Sequence, residues 1–134
     1  MHSLLLLQYV ALLRYLLKSI PNLKTAIFSR LGPHTTLKKH KGWAGLSNHV
    51  LRCHMGIEVP IGKSGISVED SFRYVRKAKW VVFDDSKDHS GINETDEYRT
   101  VLLLDIDRPW WVKNGQSDIP DTPEMKKFIE KFTN

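Results

Sequence analysis

RTVLLLDIDRP, residues 99–109, decides the fold. Its first eight residues, 99–106, form the strongest strand signal in the chain, and Asp107-Arg108-Pro109 closes it as a turn. Toward the amino end, KWVVF (79–83) and FRYV (72–75) read as two more strands. Ile66-Ser67-Val68 is a short one behind the turn IGKSG at 61–65. The stretch 49–59 alternates side-chain types up to Pro60, so Arg52 and His54 share a face and His49 points to the other. TAIFSRL (25–31) is a further strand, ended by Gly32-Pro33. Short strands at turn-punctuated spacing predict a sandwich or barrel.

Helices flank this core. LLLLQYVALL at 4–13 is too short to span a bilayer, has no basic region before it and no small-residue cleavage site after it. Residues 3–19 therefore read as a helix stopped by Ile20-Pro21, with a signal or membrane anchor as the alternative. Leucines on nearly every side predict burial on more than one face. Near the carboxyl end, Thr122 is placed to cap a helix with Pro123 at its first position and Glu124 at the positive dipole end. Its stripe Met125, Phe128, Ile129 and Phe132 predicts core packing. Trp110-Trp111 is expected to cap the core rather than stack a nucleic-acid base. The whole reads as one domain, with a helix in 1–20, a β core in 24–110 and a helical extension in 111–134.

With 134 residues, 41% hydrophobic and 26% charged, the composition excludes a disordered tail, a collagen-like repeat and a low-complexity segment. One cysteine, Cys53, excludes an intrachain disulfide and a multi-cysteine zinc site, and allows a reducing compartment such as the cytoplasm. Twenty basic against fifteen acidic residues give a net charge of +5, a field that favours anionic partners. The basic residues form no dense block, which argues against nucleic acid. HExxH, P-loop and GxSxG patterns are absent, removing zinc proteases, nucleotide hydrolases and common serine hydrolases.

Of six histidines, three stay as candidates: His40, His54 and His89. In FDDSKDH (83–89) a strand ends in a polar turn, a histidine follows, and Arg99 opens the next apolar strand ten residues later. Adjacent antiparallel strands would place His89 and Arg99 around one cavity, able to take a metal on the imidazole and a dicarboxylate on the guanidinium. A loop histidine and a surface ion-pair arginine remain the plain alternative. Asp84, Asp85 and Asp88 lack the glycine and closing glutamate of a calcium loop and read as a solvated acidic turn.

SIPNLKTAIFSRL (19–31), KKHKGWAGLSNHVLRCHMGIEVP (38–60), WVVFDDSKDH (80–89) and NETDEYRTVLLLDIDRP (93–109) together carry a resemblance. In the order of these segments and most of their spacings, the chain resembles the aspartyl/asparaginyl β-hydroxylase family of Fe(II)/2-oxoglutarate dioxygenases, which includes lipid A acyl-chain hydroxylases. The resemblance implies a mainly β fold, a double-stranded β-helix of the jelly-roll kind. It implies that His40 and His89 are the iron ligands. Ser29, eleven residues before His40, and Arg99 would hold the distal carboxylate of 2-oxoglutarate. Arg52 and His54 match the family's Arg-x-His pair, which faces the cosubstrate and substrate side of the cavity.

Three departures qualify what the resemblance implies. Gly42 stands two residues after His40, where many such oxygenases carry the acid of a two-histidine, one-carboxylate triad. The family's peptide hydroxylases also lack that acid, so Gly42 points to the β-carbon of an Asp or Asn in a peptide or protein, and to an open position for water. The loop with Trp43 and Gly45 is three residues longer than in the mammalian peptide hydroxylases. Family catalytic domains carry many more residues before SIPNLK, so a shortened form is expected. The implied cofactors are Fe(II), 2-oxoglutarate and O₂. The alternatives are hydroxylation of a lipid acyl chain, with the leucine-rich amino end at a membrane, and a β-fold interaction module that has lost activity.

Overall fold

The structure is a computed structural model that describes residues 2–133. In chain order it runs α1 (His2–Lys18), β1 (Leu23–Leu31), β2 (Thr35–Thr36), α2 (Ala44–Ser47), β3 (Val50–Glu58), β4 (Ser64–Val68), β5 (Ser71–Tyr74), β6 (Trp80–Phe83), β7 (His89–Asn93), β8 (Arg99–Asp107) and α3 (Pro123–Thr133). The strands form two four-stranded sheets, ordered β1-β8-β3-β6 and β2-β7-β4-β5. Every strand pair is antiparallel, and the chain passes from one sheet to the other between β6, β7 and β8. This is the mainly β, jelly-roll arrangement expected, with a helix at either end.

β8 lies between β1 and β3, which explains the unbroken apolar run VLLL at its centre. Side chains alternate along a strand, so Val101, Leu103 and Asp105 face inward while Leu102, Leu104 and Ile106 face out. Ile66 of β4, Phe83 of β6 and Val101 of β8 meet with Val75 in a buried cluster that joins the two sheets. The inner ends of β3 and β8 carry polar groups instead, and the candidate site lies there. The outward face of the β1-β8-β3-β6 sheet is apolar too: Phe28, Leu102, Met55 and Trp80 form one row across it by strand register.

Two strands and a short helix are invisible in the sequence. β7, HSGIN, holds one aliphatic residue and is a strand because β4 pairs with all five of its positions. β2 is two threonines held on the far edge of β7. α2, AGLS, is held by the extension after β8: Ala44 N–H donates to Ile119 O at 2.8 Å and Gly45 N–H to Asp121 Oδ1 at 2.9 Å. The N-terminal cap of α3 is as expected, with Met125 N–H donating to Thr122 Oγ1 at 3.2 Å.

Other expectations are corrected. Along its described side chains α1 is not buried on more than one face: Tyr9, Leu12 and Tyr15 are 64%, 54% and 72% exposed, with β1 and the end of α3 beside the helix, while the side chains of the leucines at 4–7 lie outside the described residues. Trp110 and Trp111 do not cap the core but project from the turn after β8, at 93% and 68% exposure. Phe132, the last residue of the α3 stripe, is exposed, whereas Met125, Phe128 and Ile129 are half-buried. The acidic turn is solvated at Asp88 but not at Asp84 and Asp85. Asp85 is buried, and Asp84 pairs with the buried Arg108. Among the described residues no helix is long and apolar enough to cross a membrane.

Candidate metal centre and its cavity

A cavity of about 190 Å³ opens between the sheets. Its wall includes Ser29 of β1, Arg52 and His54 of β3, His89 of β7, Arg99 of β8, and His40 from the segment before α2. All six residues singled out in the sequence thus meet at one place. Larger hollows of about 550 and 610 Å³ elsewhere on the surface contain none of them. Leu37, Ile66, Phe83 and Leu103 supply the apolar part of the wall. His89 and Arg99 do not sit on neighbouring strands of one sheet. β7 belongs to one sheet and β8 to the other, so the two side chains approach the cavity from opposite sides.

His40 and His89 are locked together by their backbones, each N–H donating to the other's carbonyl at 2.9 Å, and their rings lie 4.3 Å apart between centroids. Both imidazoles are oriented in the same way. His40 Nδ1 lies 2.7 Å from Lys38 O, and His89 Nδ1 lies 2.8 Å from Lys87 O. A carbonyl only accepts, so each Nδ1 carries a proton, and Nε2 is the nitrogen left to face a metal once it is unprotonated. Fixing the ring through its other nitrogen is the usual way a protein aims a histidine ligand.

The third group at the centre is Asp85, which the sequence reading placed in a solvated turn. It is 1% exposed, and its Oδ1 lies 3.2 Å from His89 Nε2 and 2.8 Å from Arg52 Nη1. Ser47 donates to its other oxygen. Burial by itself would raise its pKa, but the hydrogen bond to His89, the Arg52 charge and Ser47 overcome it and hold the carboxyl at about 2. His89 is raised in turn: burial lowers it, while the bonds to Asp85 and to Lys87 O outweigh burial. A Cβ built at Gly42 would overlap Asp85 Oδ2 and Ser47 Oγ. No local signal marked this carboxylate: Asp85 lies in the turn after β6, between Asp84 and Asp88.

Arg52 is fully engaged within the protein. Nε and Nη2 donate to Asp105 Oδ1 and Oδ2 at 2.8 and 3.0 Å, while Nη1 goes to Asp85. Arg99 is the opposite case. It is 4% exposed, has only long contacts to Ser64 Oγ and Gly65 O at 3.4 and 3.3 Å, and its Nε has no partner. None of the ion pairs among the described residues includes it, and burial lowers its pKa. A buried guanidinium without an anion is costly, and a carboxylate beside it would relieve that cost. Ser29 lies beside it: Leu31 of β1 pairs with Arg99, and Ser29 is two residues along on the same face.

His54 completes the polar wall, with both ring nitrogens buried and unpartnered. Burial, then the Arg52 and Arg99 charges, lower its pKa to about 3, so it is neutral and free to bond a ligand. Among the described residues no three His, Cys, Asp or Glu side chains converge as a metal cage. The donor set still fits a metal held by two imidazoles beside a carboxylate, with unpartnered Arg99 and His54 atoms for an acidic cosubstrate.

Residues 8–109 match the family described as aspartyl/asparaginyl beta-hydroxylase. The chain belongs to that family. It is 37% identical over 94 residues to the ornithine lipid ester-linked acyl 2-hydroxylase of Rhizobium tropici, covering 69% of this chain and 32% of that protein. The chain thus spans about a third of the length of that curated relative. In fold it is similar to the Cupin_2 domain of an XRE family transcriptional regulator from Enterobacter cloacae, with a TM-score of 0.49, 16% identity, and coverage of 63% of this chain and 81% of that one. A non-heme monooxygenase, ThoJ, as its nickel complex, gives a TM-score of 0.48 at 13% identity, covering 83% and 61%. Membership rests on the sequence match.

Proposed function

We propose that this chain carries the iron and cosubstrate site of an Fe(II)- and 2-oxoglutarate-dependent dioxygenase that hydroxylates an unactivated carbon. The observation that carries the reading is the buried Arg99, unpaired beside Ser29, across the cavity from the oriented pair His40 and His89. Iron with 2-oxoglutarate and O₂ would supply the oxidising chemistry, and the protein supplies orientation and electrostatics. His40 and His89 hold the metal through Nε2. Arg99 and Ser29 fix the far carboxylate of the cosubstrate, and neutral His54 bonds it from the side. Asp85, ionised and buried, compensates the positive charge of the metal.

For the substrate, a lipid acyl chain is the favoured reading. The relative of known name acts on an acyl chain, and Leu37, Ile66, Phe83 and Leu103 give the cavity an apolar wall suited to one. An Asp or Asn side chain in a peptide is the second reading, favoured by Gly42, the position at which the family's peptide hydroxylases also lack an acid.

The test is anaerobic binding of Fe(II) and 2-oxoglutarate, then succinate release in air with an ornithine lipid or an Asp/Asn-bearing peptide. Binding lost in His40→Ala and His89→Ala, with a hydroxylated acyl chain as product, is the expected outcome. A hydroxylated peptide would establish the second reading. A folded protein that binds neither ligand would leave a non-catalytic interaction module.

A further inference from the structure

Asp105 of β8 is a buried carboxylate to which the sequence reading of RTVLLLDIDRP gave no role. It is 1% exposed and sits between inward-facing Leu103 and the end of the strand, in register with Arg52 on β3 and Thr25 on β1. Both of its oxygens are used. Oδ1 accepts from Arg52 Nε at 2.8 Å; Oδ2 accepts from Arg52 Nη2 at 3.0 Å and from Thr25 Oγ1 at 2.6 Å. Thr25 is itself 1% exposed. The third nitrogen of Arg52 then holds Asp85 Oδ1, the atom that faces His89 Nε2. The bonds run without a gap from β1 through β8 and β3 to the histidine of β7, which lies in the opposite sheet.

We propose that Asp105 and Thr25 are positioning residues of the metal centre, acting through Arg52 to fix Asp85 against His89. The inference rests on the reading that His40 and His89 hold a metal. A core built for stability alone gains little from this arrangement, since a buried ion pair often stabilises no more than apolar side chains of the same volume. Bidentate contact fixes the plane of the guanidinium, and with it the direction of Nη1. Thr25 fixes the carboxylate that does so. Two carboxylates against one guanidinium also leave negative charge on the side toward His89, where a divalent cation would sit.

Equilibrium dialysis against Co(II), with the visible Co(II) spectrum as a second readout, tests this well below each variant's Tm. Asp105→Asn keeps the shape and removes the charge, and Co(II) affinity is expected to fall about tenfold, the lower end for partners of ligand residues. Thr25→Val is expected to weaken it by a smaller factor, with Thr25→Ser restoring it. In an Asp85→Asn background, Asp105→Asn should add no further loss, because its effect passes through Asp85. Should Asp105→Asn not fold, the Thr25 pair of variants decides. Unchanged affinity and spectrum in the folded variants, or losses at positions 105 and 85 that multiply, would overturn the proposal while leaving the two-histidine site intact. Absence of Co(II) binding by the unaltered protein would overturn both.

Discussion

Gly42 and Asp85 share one volume. The Gly42 N–H donates to the Asp85 carbonyl at 2.8 Å, and the space a side chain at 42 would need is filled by the Asp85 carboxylate and the Ser47 hydroxyl. The acid that many oxygenases carry two residues after the first histidine has no room here. A carboxylate reaches the same neighbourhood from the turn before β7.

Restoring that acid should therefore fail. Gly42→Ala forces Asp85 and Ser47 aside and is expected to destabilise the protein by about 1–3 kcal/mol, the usual cost of overpacking. Gly42→Asp adds a second carboxylate beside Asp85 and should lower stability further without tightening metal binding. Denaturant midpoints and Co(II) titration together check both statements.

Arg99 should trade stability against cosubstrate binding. Its guanidinium is buried with no anion, so Arg99→Met removes a desolvated charge and is expected to leave Tm unchanged or higher. The same variant should lose protection by 2-oxoglutarate, since a charge-assisted bond of roughly 1.5–3 kcal/mol disappears with it. A Tm falling in parallel with binding would show Arg99 to be a structural residue instead.

Acid should weaken the fold in two windows. The His54 pKa is lowered by burial and by Arg52 and Arg99 from 6.5 to about 3, so the unfolded chain takes up its proton first. That contribution is complete above pH 6.5 and declines as pH falls through about 3. Asp85 is held at about 2 against an ordinary 3.8, so its contribution, on the order of 2 kcal/mol, is lost as pH falls between those values. His54→Phe should flatten the upper window and leave the lower one. Urea unfolding from pH 7 to pH 2 would show whether the slope changes in the upper window alone.

Metal binding should weaken as pH falls. Nε2 of His89 must be unprotonated to bind, and in the metal-free protein the bonds to Asp85 and Lys87 O, outweighing burial, raise the pKa of that ring. Below that pKa the apparent Co(II) affinity is expected to drop about tenfold per pH unit. Asp85→Asn lowers the His89 pKa, so its pH profile should shift to lower pH even where its affinity at high pH is reduced.

β8 was legible as a continuous apolar run, β3 by its alternation, α3 by its cap and helical stripe, and α1 as a leucine-rich run stopped at Ile20-Pro21. The residues Ser29, His40, Arg52, His54, His89 and Arg99 were legible as a set through the resemblance, and the folded chain brings them to one cavity. β7 was not legible, since HSGIN has almost no strand character and owes its shape to hydrogen bonds from β4. Asp85 reads in sequence like its neighbours Asp84 and Asp88. Only folding separates a buried carboxylate on Arg52 from one on Arg108 and one that is exposed.

The sequence by itself determined a mainly β chain of this family with two histidines and an arginine at family spacing, because local periodicity and motif order are properties of the chain. The tertiary structure alone decided which charges are satisfied. Arg52 and Arg99 are identical side chains on inward faces of neighbouring strands, yet one is saturated by Asp85 and Asp105 and the other has no anion. That difference comes from which carboxylates the neighbouring strand β8 and the turn after β6 bring to each guanidinium. Burial then makes it count, since without water an unpaired charge must find its partner in a ligand.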